Sequence, residues 1–189
     1  GTVQLGGHAV SRPDGKFLIV NGNSSTATNV YDPVTNTIIA GPLLASGTLS
    51  TGSHSIQRPD GKFLVVNGLV SAITNIYDPV ANTFTAGPSL AVGSADSGAL
   101  SIQMADGRFL VVNGGGSALT NIYDPVANTF IAGPLIVGGT IRYGASSFQR
   151  LDGKTLILNG NAVASTTVYD SGWVTHGSYD SEFINDTTL

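Results

Sequence analysis

Two short stretches break an otherwise regular chain with charged and aromatic residues: Asp96 in "GSADSG" and Arg142-Tyr143 in "GTIRYG". A guanidinium offers a planar fork of donors that suits a carboxylate, and a neighbouring tyrosine ring offers a face on which a sugar can stack. Asp96, Arg142 and Tyr143 are therefore the candidate ligand-binding residues. His8 and His54 occupy one position in two successive copies of a repeated text, but the next two copies carry Leu100 and Ser146 there. Repetition thus does not assemble the three or four ligands a metal site needs, and a shared structural role is expected for both histidines. His176 has no evident partner. Most carboxylates fall in "PDG" and "YDP", where aspartate caps a turn and is not available for acid–base work. The chain has no cysteine, which removes thiolate ligands and disulfides, and no nucleophile elbow or phosphate loop is present. The expectation is no catalytic residue, no metal, no cofactor and no enzymatic activity.

The elements that position these residues are legible from self-comparison. Asp-Gly recurs at Asp14, Asp60, Asp106 and Asp152, Asn-Gly at Asn21, Asn67, Asn113 and Asn159, and Tyr-Asp at Tyr31, Tyr77, Tyr123 and Tyr169, always 46 residues apart. Periods of this size indicate a propeller or a solenoid. Within a unit, Arg58-Pro59-Asp60-Gly61 is a tight turn, with proline where its fixed φ helps and glycine where positive φ costs nothing. It joins "HSIQ" to "KFLVV", an apolar run without alternation and so a strand covered on both faces. A variable loop then leads to "TNIYD", and "DPVANT" turns into a fourth strand carrying Phe84. The row Asn29, Asn75 and Asn121 is expected to tie strands together. No stretch has helical periodicity, so the chain reads as all-β.

A lone unit of about 46 residues buries too little apolar surface to be stable. Stacking successive sheets face to face around an axis covers both faces, which is the β-propeller arrangement. Each unit resembles a kelch repeat: a first strand with histidine, "DGK" before an apolar strand and a glycine-containing pair, then "YDP", Asn-Thr and an aromatic residue. The resemblance covers nearly the whole chain and is to blades common in bacterial secreted proteins, like those of the galactose oxidase central domain. It implies a propeller of four-stranded antiparallel blades at about 1–46, 47–92, 93–138 and 139–177, part of a larger ring or assembly. Two departures affect packing: the family's glycine doublet is Asn-Gly, and its usual tryptophan is Ile38, Phe84 and Phe130 in the first three units. After Asp170 the repeated turn is replaced by "SGW", so Trp173 is expected to start the last strand. The tail 178–189 reads as the start of a following module or as a docking strand. At the other end, "GTVQLGGHAV" aligns with "GTLSTGSHSI" from Gly47, so the text enters within an inter-blade loop.

The family includes copper oxidases and sialic acid mutarotases. The oxidases need a crosslinked cysteine and histidine ligands that this chain lacks, and a mutarotase needs convergent acid and base groups. The leading expectation is a non-catalytic extracellular scaffold, self-assembly element or protein- or glycan-binding module. The alternative is part of a carbohydrate-active, mutarotase-like enzyme whose catalytic groups lie in further blades. Only 11% of residues are charged while 41% are hydrophobic, which leaves the surface to Ser, Thr, Asn and Gly and suits an extracellular or cell-surface setting. With a net charge of −4 and its cations dispersed one to three per unit, the chain is a poor ligand for nucleic acid. No apolar run approaches the roughly 18 residues of a membrane helix. An incomplete ring would leave apolar end faces, so a protein partner or self-association through the terminal blades is expected, with a glycan as a further partner.

Overall fold

The structure, a computed structural model, describes residues 3–137, 140–160, 165–170 and 182–184. Among the described residues sixteen strands form four antiparallel sheets of four, each a meander in chain order. The first holds β1 (His8–Ser11), β2 (Phe17–Val20), β3 (Thr28–Asp32) and β4 (Thr37–Ala40). The second holds β5 (His54–Gln57), β6 (Phe63–Val66), β7 (Thr74–Asp78) and β8 (Thr83–Ala86). The third holds β9 (Leu100–Gln103), β10 (Phe109–Val112), β11 (Thr120–Asp124) and β12 (Thr129–Ala132). The fourth holds β13 (Ser146–Gln149), β14 (Thr155–Leu158), β15 (Thr166–Asp170) and β16 (Glu182–Ile184). No described residue is helical. The fold is all-β, of four-stranded antiparallel β-propeller blades.

Turn chemistry sets each sheet's register. Asp60 Oδ1 accepts from the Lys62 amide at 3.1 Å, holding the Asp-Gly hairpin that opposes Gln57 to Phe63. Asp78 Oδ1 accepts from the Val80 and Ala81 amides, both at 3.0 Å, and Asn82 completes the turn at φ 53°, a left-handed conformation that asparagine tolerates. That turn opposes Tyr77 to Phe84, whose ring centroids lie 5.0 Å apart.

The chain divides into two units, Gly1–Leu90 with Ser94–Asp96, and Ala91–Gly93 with Ser97–Leu189. In the first, Val10, Leu18, Val20 and Val30 of sheet one pack with Phe63, Val65 and Tyr77 of sheet two, and Leu44 and Leu49 of the connecting loop close the cluster. All four residues of β6 are buried, as its unbroken apolar text requires. In the second unit Ile102, Leu110, Val112 and Ile122 of sheet three pack with Ile157 and Tyr169 of sheet four. Met104 stands where the other repeats have arginine, and it is buried in this second core.

Trp173, the expected start of the last strand of the fourth sheet, lies outside the described residues. Among the described residues, β16 pairs with β15 at the end of the fourth sheet, with Asp170 opposite Glu182 and Tyr169 opposite Phe183. That register repeats the pairing of tyrosine with an aromatic seen at Tyr77–Phe84 and Tyr123–Phe130.

Candidate functional site

The residues expected to bind ligand lie in the inter-blade loops, and backbone contacts explain why those loops can vary. Each loop reaches its sheet through a turn ending in glycine: Gln4-Leu5-Gly6, Ser50-Thr51-Gly52, Asp96-Ser97-Gly98 and Arg142-Tyr143-Gly144. The turn of one repeat docks on the glycine of the repeat before it. A Cβ on Gly52 would lie 2.0 Å from the Asp96 carbonyl oxygen, and one on Gly98 would lie 1.9 Å from that of Arg142. The turn is further held by a main-chain bond from the Arg142 amide to the Asn159 carbonyl, 2.9 Å. Backbone does the docking, and the side chain at this position varies: Gln, Ser, Asp and Arg in turn.

The structure brings Arg142 and Tyr143 onto one exposed turn of the second unit, with Tyr143 64% exposed. The guanidinium lies against Gly116, where a Cβ would come within 2.9 Å of Nη2. Asp96 belongs to the first unit and is half-buried.

Charge pairing sets Arg142 apart. Arg12, Lys16, Arg58, Lys62, Arg108, Arg150 and Lys154 each pair with an aspartate at 2.6–3.2 Å. All those aspartates lie in the "DG" and "YD" turns. Among the described residues, Arg142 is the cation with no ion pair.

The turn aspartates are fully committed. The Arg12 guanidinium holds the Asp14 carboxyl below the usual carboxylate range, and the Thr35 amide does the same for Asp32. The Ala81 amide lowers Asp78 and the Ala127 amide lowers Asp124. Such groups stay ionised near neutrality, unlike the raised carboxyl that a general acid requires. Asp60 and Asp78 also border a cleft of about 460 Å³ in the first unit, lined by Arg12, Lys62 and Phe63 among others.

An adjoining cleft of about 390 Å³ is lined by His8, His54, Ser55 and Gln57. His8 Nδ1 meets the Gly6 carbonyl at 3.2 Å, so it carries the proton, and Nε2 accepts from Ser55 Oγ at 2.6 Å. His54 Nδ1 meets the Gly52 carbonyl at 3.0 Å, while Nε2 is buried with no hydrogen-bond partner. Burial pushes the His54 imidazole down to about 4, against the opposing pull of the Gly52 carbonyl. Among the described residues no three His, Asp or Glu group as metal ligands.

The asparagine row does more than tie strands. Asn75 Nδ2 donates to Asn67 Oδ1 at 2.8 Å, and Asn121 Nδ2 donates to Asn113 Oδ1 at 2.8 Å. Both pairs also grip a loop peptide. Asn75 Oδ1 accepts from the Ser46 amide at 2.9 Å, and the Ser46 carbonyl accepts from Asn75 Nδ2 at 2.9 Å and Asn67 Nδ2 at 3.0 Å. Val92 is held identically by Asn121 and Asn113, at 2.9, 3.0 and 3.0 Å. Sequence reasoning missed this clamp. Its only signal was two asparagines eight residues apart in three successive repeats.

A shared loop position also holds two strained residues. Leu69 and Val70 both have φ of 55°, where the equivalent residues are Asn23-Ser24 and Gly115-Gly116, and they are 46% and 67% exposed.

No family model and no curated protein matches the chain. Solved structures do. A fungal alcohol oxidase of the AA5 family, in complex with copper, aligns with a TM-score of 0.65 at 18% identity, covering 96% of this chain and 41% of that one. Hydrazine synthase of Kuenenia stuttgartiensis gives 0.60 at 16% identity, covering 89% and 47%. YjhT gives 0.60 at 13% identity, covering 98% and 66%. At these identities the likeness is one of fold. The chain spans less than half the length of the first two.

Proposed function

We propose that this chain is a non-catalytic blade segment of a secreted or surface protein, which binds a carboxylate-bearing partner, glycan or protein, through the turn carrying Arg142 and Tyr143. The observation behind this reading is the uncompensated charge of Arg142, since every other cation is spent on a turn aspartate. An exposed guanidinium resting on a glycine, with an exposed tyrosine beside it, offers paired donors to a carboxylate and a ring to a sugar. The low charged fraction and the neutral polar loops support an extracellular setting. The test is binding to immobilised glycans with and without terminal carboxylated sugars, and to acidic peptides, with wild type and Arg142→Ala. The expected result is retention on carboxylated ligands weakened about tenfold by the substitution, the loss of one charge-assisted pair. Binding indifferent to Arg142 and Tyr143 would remove this surface from consideration.

A second reading draws on the matched oxidase, which is more than twice as long as the aligned segment. In it, the chain is the supporting part of a carbohydrate-active enzyme whose acid and base groups stand in other blades. Turnover of a sugar substrate by this chain alone, or by a longer form but not by its Asp60 or Asp78 variants, would contradict it.

A further inference from the structure

We propose that Asn21 and Asn29 form an open backbone clamp that receives the end of a further blade running into Gly1 in the same polypeptide. This goes beyond ligand binding at Arg142 and rests only on the reading of the chain as a blade array. In sheets two and three the corresponding asparagines hold the N–H and C=O of Ser46 and Val92. Those two side chains have nothing in common, so the clamp reads backbone. Each held residue is followed by a left-handed glycine, Gly47 at φ 64° and Gly93 at φ 62°, where a Cβ would lie 2.6 Å from the clamp's Nδ2. The recognised element is therefore a peptide of any residue followed by glycine.

In sheet one the clamp is built, with Asn29 Nδ2 donating to Asn21 Oδ1 at 2.6 Å. Asn21 is 1% exposed, yet its Nδ2 has no hydrogen-bond partner. A buried amide donor left unmade is costly, and the two neighbouring sheets show what satisfies it. The repeat register puts Gly1 in line with Gly47 and Gly93, so the clamped residue falls immediately ahead of Gly1.

An apolar residue near the clamp is exposed as well. Val3 is 58% exposed, whereas Leu49, Ala95 and Ile141 at its repeat position are 0% exposed. The occupant's chemistry follows from the loops that fill the place elsewhere: "AGPLLAS" before Gly47 and "AGPSLAV" before Gly93. Their fifth residues, Leu44 and Leu90, are buried. The fitting segment is thus Ala-Gly-Pro, any residue, an aliphatic, and two variable residues.

The experiment extends the full chain ahead of Gly1 with AGPLLAS or with a Gly-Ser heptapeptide, and compares thermal midpoints and side-chain amide exchange. The expected result is a midpoint about 5 °C higher for AGPLLAS alone, unchanged on tenfold dilution, with slowed exchange of the Asn21 amide. The gain should vanish in Asn29→Thr, a residue the fourth sheet already carries as Thr167. Equal midpoints for the two extensions would overturn the proposal. So would a gain that survives Asn29→Thr, or one that grows with protein concentration and so reports a second copy. Arg142→Ala should leave all of these readings unchanged, which keeps this result separate from ligand binding.

Discussion

His54 shows what a single half-buried ring, its Nε2 out of reach of water, does to stability. Its folded-state imidazole titrates at about 4, below the ordinary 6.5, because burial disfavours the charged form. The unfolded chain therefore takes up a proton before the folded one does. The contribution of the neutral ring is complete above pH 6.5, falls as pH drops through 6.5 towards 4, and is flat below. At about 1.4 kcal/mol per unit the loss across that window is roughly 3 kcal/mol. His54→Leu, which installs the residue that the third repeat has at Leu100, should flatten this part of the acid denaturation profile. Urea midpoints measured between pH 7 and 4 check it, and a variant as acid-sensitive as wild type would show that other groups are responsible. The sequence placed the two histidines at one repeat position and marked Arg142 and Tyr143 as irregular. It could not show that the other cations are all paired, since Lys16 and Asp32 are 16 residues apart and meet only across a strand pair.

At the scale of elements, the Asp-Gly and Asp-Pro hairpins were readable because their residues act locally: aspartate accepts amides two or three positions on, and asparagine or glycine supplies the left-handed conformation. The loops between second and third strands were not, because their text varies. Their constancy lies in backbone bonds instead. The Leu49 amide donates to the Ser25 carbonyl at 3.0 Å and the Ala95 amide to the Ser71 carbonyl at 2.9 Å, both bonds that no side-chain pattern encodes. Leu69 and Val70 sit in such a loop with left-handed backbone, unfavourable for a leucine and more so for a β-branched valine. Replacing them together by Asn-Gly should raise stability by about 1 kcal/mol, the strain relieved less the entropy cost of glycine. A chemical-denaturation midpoint that fails to rise would mean that the pair gains compensating contacts despite its exposure.

For the molecule as a whole, stability resides in the packing of sheet on sheet. Leu18 and Val20 are buried by Phe63, Val65 and Tyr77 of the next repeat, and Arg12 reaches across to the Tyr77 hydroxyl at 2.8 Å and to Asn82 Oδ1. A peptide of residues 47–92 should therefore show no cooperative unfolding by circular dichroism, while the 189-residue chain does. A folded single repeat would refute this account of the core. The repeated text by itself determined strand number, strand order and sheet type, because turns and strand periodicity depend on residues close in sequence. Only the tertiary structure decided which strand pairs with β15, which cation stands unpaired and which asparagine amide is buried without a partner. Each of these depends on groups brought together from distant positions, and distance along the chain carries no record of them.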